Sequence, residues 1–239
     1  MSAYREGLPP LPAYMQRLPL DHRGFPVPWF VPKIDGEWNF QTIRPQRVEQ
    51  AVLQKRCWIC GGELHRNLAF VVGPMCVINR NTSEPPSHVE CASYAVKACP
   101  FLVRPRMRRA PRPEEATEQP GIFLERNPGV SVLWVVRKFL PRRVPGGLLF
   151  RIQEPTVRFS CWSEGRPATL EEVEHSFSSG LPALERIAAD DDIYNGDRGA
   201  TEELARRVAV ARKLLGLTEW TNAASTPTAS TSPSTSLQP

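Results

Sequence analysis

Cys57-Trp58-Ile59-Cys60-Gly61-Gly62 and, further on, Ser87-His88-Val89-Glu90-Cys91 are the stretches whose reading decides the fold. The first sets two thiols three residues apart, and the glycines behind them let the backbone turn so that its amides face the sulfurs. That is the shape of a zinc knuckle. A redox Cys-x-x-Cys needs its first thiol at a helix N-terminus, and Gly61 and Gly62 would each cost such a helix about 1 kcal/mol relative to Ala. Zinc takes four nitrogen or sulfur donors in a tetrahedron, so a knuckle needs a second pair. His88 and Cys91 supply it. The Ser87-x-x-Glu90 spacing predicts a capping box and a helix beginning at His88, whose first turn places His88 and Cys91 on one face. Cys57, Cys60, His88 and Cys91 are therefore the predicted ligands of one Zn2+.

Buried thiols and a histidine near a helix cap are the plainer reading, but two correctly spaced pairs around a capping box weigh against it. Cys76 could replace His88, and His65 is another substitute. Cys99 would lie about 16 Å from His88 along an unbroken helix, too far for one ion, and reads as core. Cys161, between Ser160 and Trp162, reads as packed in a strand.

Outward from the knuckle, Pro45 to Arg56 has proline at a first helical position and Val48, Ala51 and Val52 on one face, predicting a short helix. Leu68 to Val72 predicts a strand stopped by Gly73-Pro74, then a polar loop to Pro86, and Pro100 ends the helix begun at His88. Knuckle, strand, loop and ligand-bearing helix together make a treble-clef-like, zinc-binding segment over 45–113. Before it, 1–44 is proline-rich with scattered aromatics, as in Gly24-Phe25-Pro26-Val27-Pro28-Trp29-Phe30, and reads as an extended segment packed on the body.

Strands are expected at Gly121 to Glu125, Val130 to Phe139, Leu148 to Ile152 and Thr156 to Trp162, separated by turn signals, hence a small antiparallel sheet. Thr169 with Glu172 predicts a capping box opening a helix to about Ser178. Leu181 to Ala189 predicts another. A third starts at Thr201 with Leu204, Val208, Ala211 and Leu215 on one face and Gly216 after it. These elements make up 114–220. Residues 221–239 are uncharged and Ser/Thr-rich, and read as a disordered tail.

The 239 residues are 41% hydrophobic and 23% charged, which excludes a wholly disordered chain and permits one large or two small cores. No run has the roughly 18 apolar residues a membrane span needs, and the N-terminus lacks a secretory pattern. A reducing cytoplasm, bacterial or host, is expected, where cysteines serve as ligands or buried thiols. Residues 1–113 hold 16 Lys and Arg against 8 Asp and Glu, or +8, and the remainder 14 against 17, or −3. Such asymmetry fits an acidic partner such as nucleic acid.

Arg104, Arg106, Arg108, Arg109 and Arg112 form a basic connector that could contact phosphates. Pro105, Pro111 and Pro113 prevent a basic helix there, and no aromatics interleave for stacking, so a solvated linker fits the same residues. Asp190-Asp191-Asp192 with Asp197 lacks the alternate-position acids and terminal Glu of a calcium loop and reads as a helix-ending polar loop. His175, with Glu171 and Glu172, reads as part of a helix surface. Phosphate-loop, dinucleotide and Gly-x-Ser-x-Gly motifs are absent.

Cys57 to Gly62, Phe70-Val71-Val72-Gly73-Pro74-Met75-Cys76, Glu84-Pro85-Pro86-Ser87-His88-Val89-Glu90-Cys91-Ala92 and Cys99-Pro100-Phe101-Leu102 together resemble a family of uncharacterised proteins from bacteriophages and bacterial genomes. The resemblance covers about residues 20 to 190, is specific in its motif order, and implies a phage or prophage setting without a mechanism. The sequence thus predicts an α+β protein: a treble-clef-like zinc module, then a small antiparallel sheet and C-terminal helices. The expected function is non-catalytic binding of nucleic acid or a protein partner, with no membrane and no small-molecule cofactor. A treble-clef metal-dependent nuclease is the alternative, but such an enzyme wants a catalytic His at the end of its strand, and none stands near Val72-Gly73.

Overall fold

The computed structural model describes residues 3–40, 42–104, 127–196 and 198–217. After a single 3-10 turn at Ala13–Met15 come β1 (Lys33–Ile34), β2 (Glu37–Trp38), α1 (Pro45–Leu53), β3 (Leu68–Val72), α2 (Pro74–Asn79), β4 (Asn81–Thr82), α3 (Val89–Ala98) and α4 (Pro100–Val103). The second half carries β5 (Ser131–Val136), β6 (Phe139–Val144), β7 (Gly147–Ile152), β8 (Thr156–Ser163), β9 (Arg166–Pro167), α5 (Leu170–Asn195) and α6 (Gly199–Leu214).

β5, Ser-Val-Leu-Trp-Val-Val, is buried at every position, as a central strand covered on both faces must be. It pairs antiparallel with β3, Leu68 opposite Val136 through Val72 opposite Val132, and on its other edge with β8, giving the order β3-β5-β8-β9. The strand that follows the knuckle therefore shares a sheet with strands from beyond the basic connector. Period-2 alternation sends Phe70, Val72, Val132, Trp134 and Val136 to one side, into a core with Phe177 and Leu184 of α5 and Val208 and Ala211 of α6. Ala69, Leu133 and Val135 face the other way, onto Ala92 of α3. The sheet is a middle layer between the C-terminal helices and the helix that carries Cys91. β4, β7 and β6 form a second antiparallel sheet.

Four expectations change. Val130 to Phe139 is not one strand. The exposed pair Arg137-Lys138 interrupts it, and β6 joins the other sheet. The expected loop to Pro86 contains α2 and β4, because Gly73-Pro74 is both a strand stop and a helix start, with Pro at the first helical position. The two helices expected over Thr169–Ala189 are a single α5 running through Pro182. An interior proline costs a helix about 3 kcal/mol, yet the buried stripe Val173, Phe177, Leu184, Ala188 continues across it and packing prevails. Finally, Asp190-Asp191-Asp192 lies within the last turns of α5, and the Asp192 carboxylate accepts from the Ala200 and Thr201 amides at 2.7 and 3.1 Å, capping α6. The Gly121 to Glu125 strand and the 221–239 tail lie outside the described residues.

The Thr169 capping box forms in both directions, at 3.2 and 2.8 Å. The Glu172 carboxyl is held down at about 2, first by the Arg166 guanidinium and then by the Thr169 amide. Its folded value lies below the ordinary 4.5, so the stability it contributes is complete above about 4.5 and is lost as pH falls toward about 2. Thermal melts of wild type and Glu172→Gln should accordingly differ at neutral pH and converge as pH approaches 2. A difference that stays constant across that window would contradict the assignment.

Candidate metal centre

The knuckle is built by its own backbone. The Cys57 amide donates to the Gly62 carbonyl at 2.7 Å and the Gly61 amide to the Cys57 carbonyl at 2.8 Å, with Gly61 at φ +71°, a conformation glycine adopts without strain. Its amides turn inward as the glycine pattern predicts. Cys60 N–H points to the Cys57 sulfur and Gly62 N–H to the Cys60 sulfur, both at 3.4 Å.

The second pair is placed by β3. Ser87 exchanges both backbone hydrogen bonds with Ala69, at 2.8 and 2.9 Å, and the next amide, that of His88, donates to the Cys57 sulfur at 3.3 Å. This arrangement corrects the capping prediction. Ser87 is committed to the bridge, the helix starts one residue later at Val89, and His88 is the N-cap position with no side-chain cap bond. Cys91 remains in the first turn.

The Sγ atoms of Cys57, Cys60 and Cys91 and a ring nitrogen of His88 lie within 4.8 Å of one another, all four residues buried, in a cluster that could hold a metal ion. His88 Nδ1 is 3.3 Å from the Cys60 sulfur and 3.8 Å from that of Cys91. Its Nε2 lies 2.7 Å from the Glu63 carbonyl oxygen, which can only accept, so Nε2–H is the donor and Nδ1 faces the sulfurs. Hydrogen bonding with the Cys60 and Cys91 thiols holds Cys57 far below the ordinary thiol range, and the same sharing pushes Cys91 up. Burial opposes charge on His88, but its bonds to Cys57 and Cys60 outweigh burial and push the imidazole up to about 10. The cluster favours an anionic sulfur beside a cation.

Neither substitute joins it. Cys76, on α2, packs against the main core, where burial pushes its thiol up to about 11. His65 stands beside the site, its ring 5.2 Å from that of His88, and hydrogen-bonds Tyr14 at 3.5 Å. Cys99 is half-buried at the junction of α3 and α4, and Cys161 sits in β8 with its thiol pushed by burial to about 11. Among the described residues no other group of His, Cys, Asp and Glu gathers closely enough to hold an ion.

Sequence reasoning missed what covers the site. Met15 is buried among Cys57, Cys60, Cys91 and Tyr94. Tyr14 stacks on His88 with ring centres 4.2 Å apart, and Phe30 stacks on Trp58 at 4.5 Å. The Trp29 amide donates to the Ile59 carbonyl at 2.7 Å. The proline-rich segment is a strap over the knuckle; its aromatics signalled packing without signalling where. A Cβ on Gly61 would stand 2.5 Å from the Trp29 ring and in a left-handed conformation costing about 1–2 kcal/mol. Gly61→Ala is therefore expected to lower the melting temperature and make segment 3–40 easier to proteolyse. Unchanged melting and digestion would show that the strap does not seat on Gly61.

Of the basic connector, Arg104 is described and exposed at the end of α4. Arg106, Arg108, Arg109 and Arg112 lie outside the described residues. The Asn127 carboxamide donates to the carbonyls of Phe101 and Arg104, tying the chain just before β5 to the end of α4. Among the described residues no helix is long and apolar enough to cross a membrane. No family model, curated protein or solved structure matches this chain.

Proposed function

We propose that Cys57, Cys60, His88 Nδ1 and Cys91 hold one structural Zn2+ in a treble-clef-like module. The protein would then be a non-catalytic binding protein of a phage or prophage setting, acting in the cytoplasm on nucleic acid or a protein partner. The observation that carries this reading is the buried closure of four donors around one point. Zn–S bonds of about 2.3 Å and a Zn–N bond of about 2.0 Å give a tetrahedral S···N edge of about 3.5 Å. The two S···N separations, 3.3 and 3.8 Å, bracket it. Three thiolates and an imidazole suit zinc and disfavour magnesium or calcium, which take oxygen donors. Four protein ligands leave no position for a reacting water, whereas catalytic zinc keeps one open.

The basic connector supports the nucleic-acid branch through its charge. Phosphate contacts release counterions, so binding through Arg108 and Arg109 should weaken with salt and in the Arg108→Ala/Arg109→Ala variant. The experiment that tests non-catalytic function is a cleavage assay on single- and double-stranded DNA and RNA with added magnesium or manganese. No cleavage is expected. Magnesium-dependent cleavage lost in His65→Ala would make the protein a nuclease. Metal binding displaces the protons shared within the cluster, so acidification should release the ion, read as zinc freed to a chromophoric indicator.

A further inference from the structure

A groove of about 330 Å³ opens between α2–β4, the β6–β7 hairpin and α6, and five arginines line it against one carboxylate. These are Arg80, Arg142, Arg151, Arg206 and Arg207, facing Glu203. Glu203 is divided between two of them, 3.1 Å from Arg206 Nε and 2.7 Å from Arg207 Nε. Arg80 is turned to Glu154 at 2.7 Å. Arg142 and Arg151 are exposed and, among the described residues, have no carboxylate partner. In the hairpin register Arg142 pairs with Leu149 and Arg151 with Leu140, which makes the arginines diagonal neighbours on one face, about 7–8 Å apart. Across the hairpin each arginine faces a leucine rather than a carboxylate.

We propose that this groove receives the phosphate backbone of a nucleic-acid duplex. Guanidinium forks match phosphate oxygens bidentately, and Arg142 and Arg151, neighbours on one face of the hairpin, offer two of them to one strand. No aromatic side chain lines the groove, so it offers unpaired bases no stacking platform, which favours the duplex over the single strand. It also contains no His, Cys or Tyr, and its one carboxylate is held by Arg206 and Arg207, so the surface is proposed to bind without cleaving. The inference rests on reading the protein as a binding module, chooses nucleic acid as its partner, and adds residues other than those of the Arg104–Arg112 connector. Four of the five arginines, all but Arg80, come from the half of the chain whose net charge is negative; folding, not composition, makes the patch.

The test is fluorescence anisotropy of the full-length protein with a short labelled duplex and the corresponding single strand, across a salt series. Wild type should bind the duplex more tightly, without sequence preference. Arg142→Ala/Arg151→Ala should bind about tenfold or more weakly, with a log–log salt slope smaller by about one per arginine. Glu203→Gln, which removes the groove's carboxylate, should tighten binding, a gain that misfolding cannot mimic. Arg143→Ala, on the opposite face of β6, should bind as wild type does. Duplex binding unchanged in both groove variants overturns the groove while leaving nucleic-acid binding to the connector, and preference for the single strand overturns the duplex assignment. If wild type binds no nucleic acid at low salt, the groove proposal falls and a protein partner takes its place, while the zinc assignment stands on its own metal measurement.

Discussion

Cys60→Ser is expected to abolish metal binding and to unfold the strap and knuckle. The Cys60 sulfur meets His88 Nδ1 and accepts the Gly62 amide, and a hydroxyl is a poor replacement for thiolate in both roles. Structural zinc in small modules supplies about 10–16 kcal/mol of apparent binding free energy, while whole domains are stable by only about 5–15 kcal/mol. Losing one ligand therefore removes an amount comparable to the stability of the whole fold. Met15, Tyr14 and Tyr94 pack directly around the four ligands, so the N-terminal strap should be released with them. Near-ultraviolet circular dichroism should lose the contribution of the stacked Phe30 and Trp58. The control is Cys76→Ala, which removes a buried thiol of the other core and should keep the metal. Equal metal loss in both variants would mean that burial, not ligation, explains Cys60.

Trp134→Ala should cost about 3–5 kcal/mol, the range for deleting a large aromatic from a packed core. The indole is fully buried at the centre of β5, donates to Thr156 Oγ1 at 3.0 Å, meets Phe159 edge-on at 5.4 Å, and has the Arg80 guanidinium 5.1 Å from its ring centre. β5 is bonded to β3 on one side and β8 on the other, so its loss should loosen the attachment of the knuckle as well as the C-terminal helices. Chemical denaturation gives the free energy. A cost below about 1 kcal/mol would mean that the two halves do not depend on one sheet.

The Cys57, Cys60, His88 and Cys91 cluster was legible because donor spacing is local. Cys-x-x-Cys before two glycines, and His-x-x-Cys at a helix start, fix donor type and spacing within a few residues, and the chain brings the two pairs together through the Ala69–Ser87 bridge. The Leu68–Val72 strand was equally plain as a short apolar run stopped by Gly73-Pro74, and the α6 stripe from its period. Long-range partners were not. Nothing in Leu68–Val72 says that it pairs with Ser131–Val136, and the alternating apolar pattern does not reveal that Arg137-Lys138 hands the chain from one sheet to another. Gly-Pro after a strand reads equally as a stop or as a helix start, so α2 was hidden. Two helices were expected, one to about Ser178 and one over Leu181 to Ala189, because the buried stripe that carries α5 through Pro182 is a tertiary fact. The strap and the arginine groove escaped for the same reason, since both are made by segments distant in sequence.

X-ray absorption at the zinc edge of the purified full-length protein tests the central claim most directly. One zinc per chain is expected, with three sulfur scatterers at about 2.3 Å and one nitrogen at about 2.0–2.1 Å. A protein that carries no zinc, or zinc surrounded mainly by oxygen, would contradict a centre made of Cys57, Cys60, His88 and Cys91.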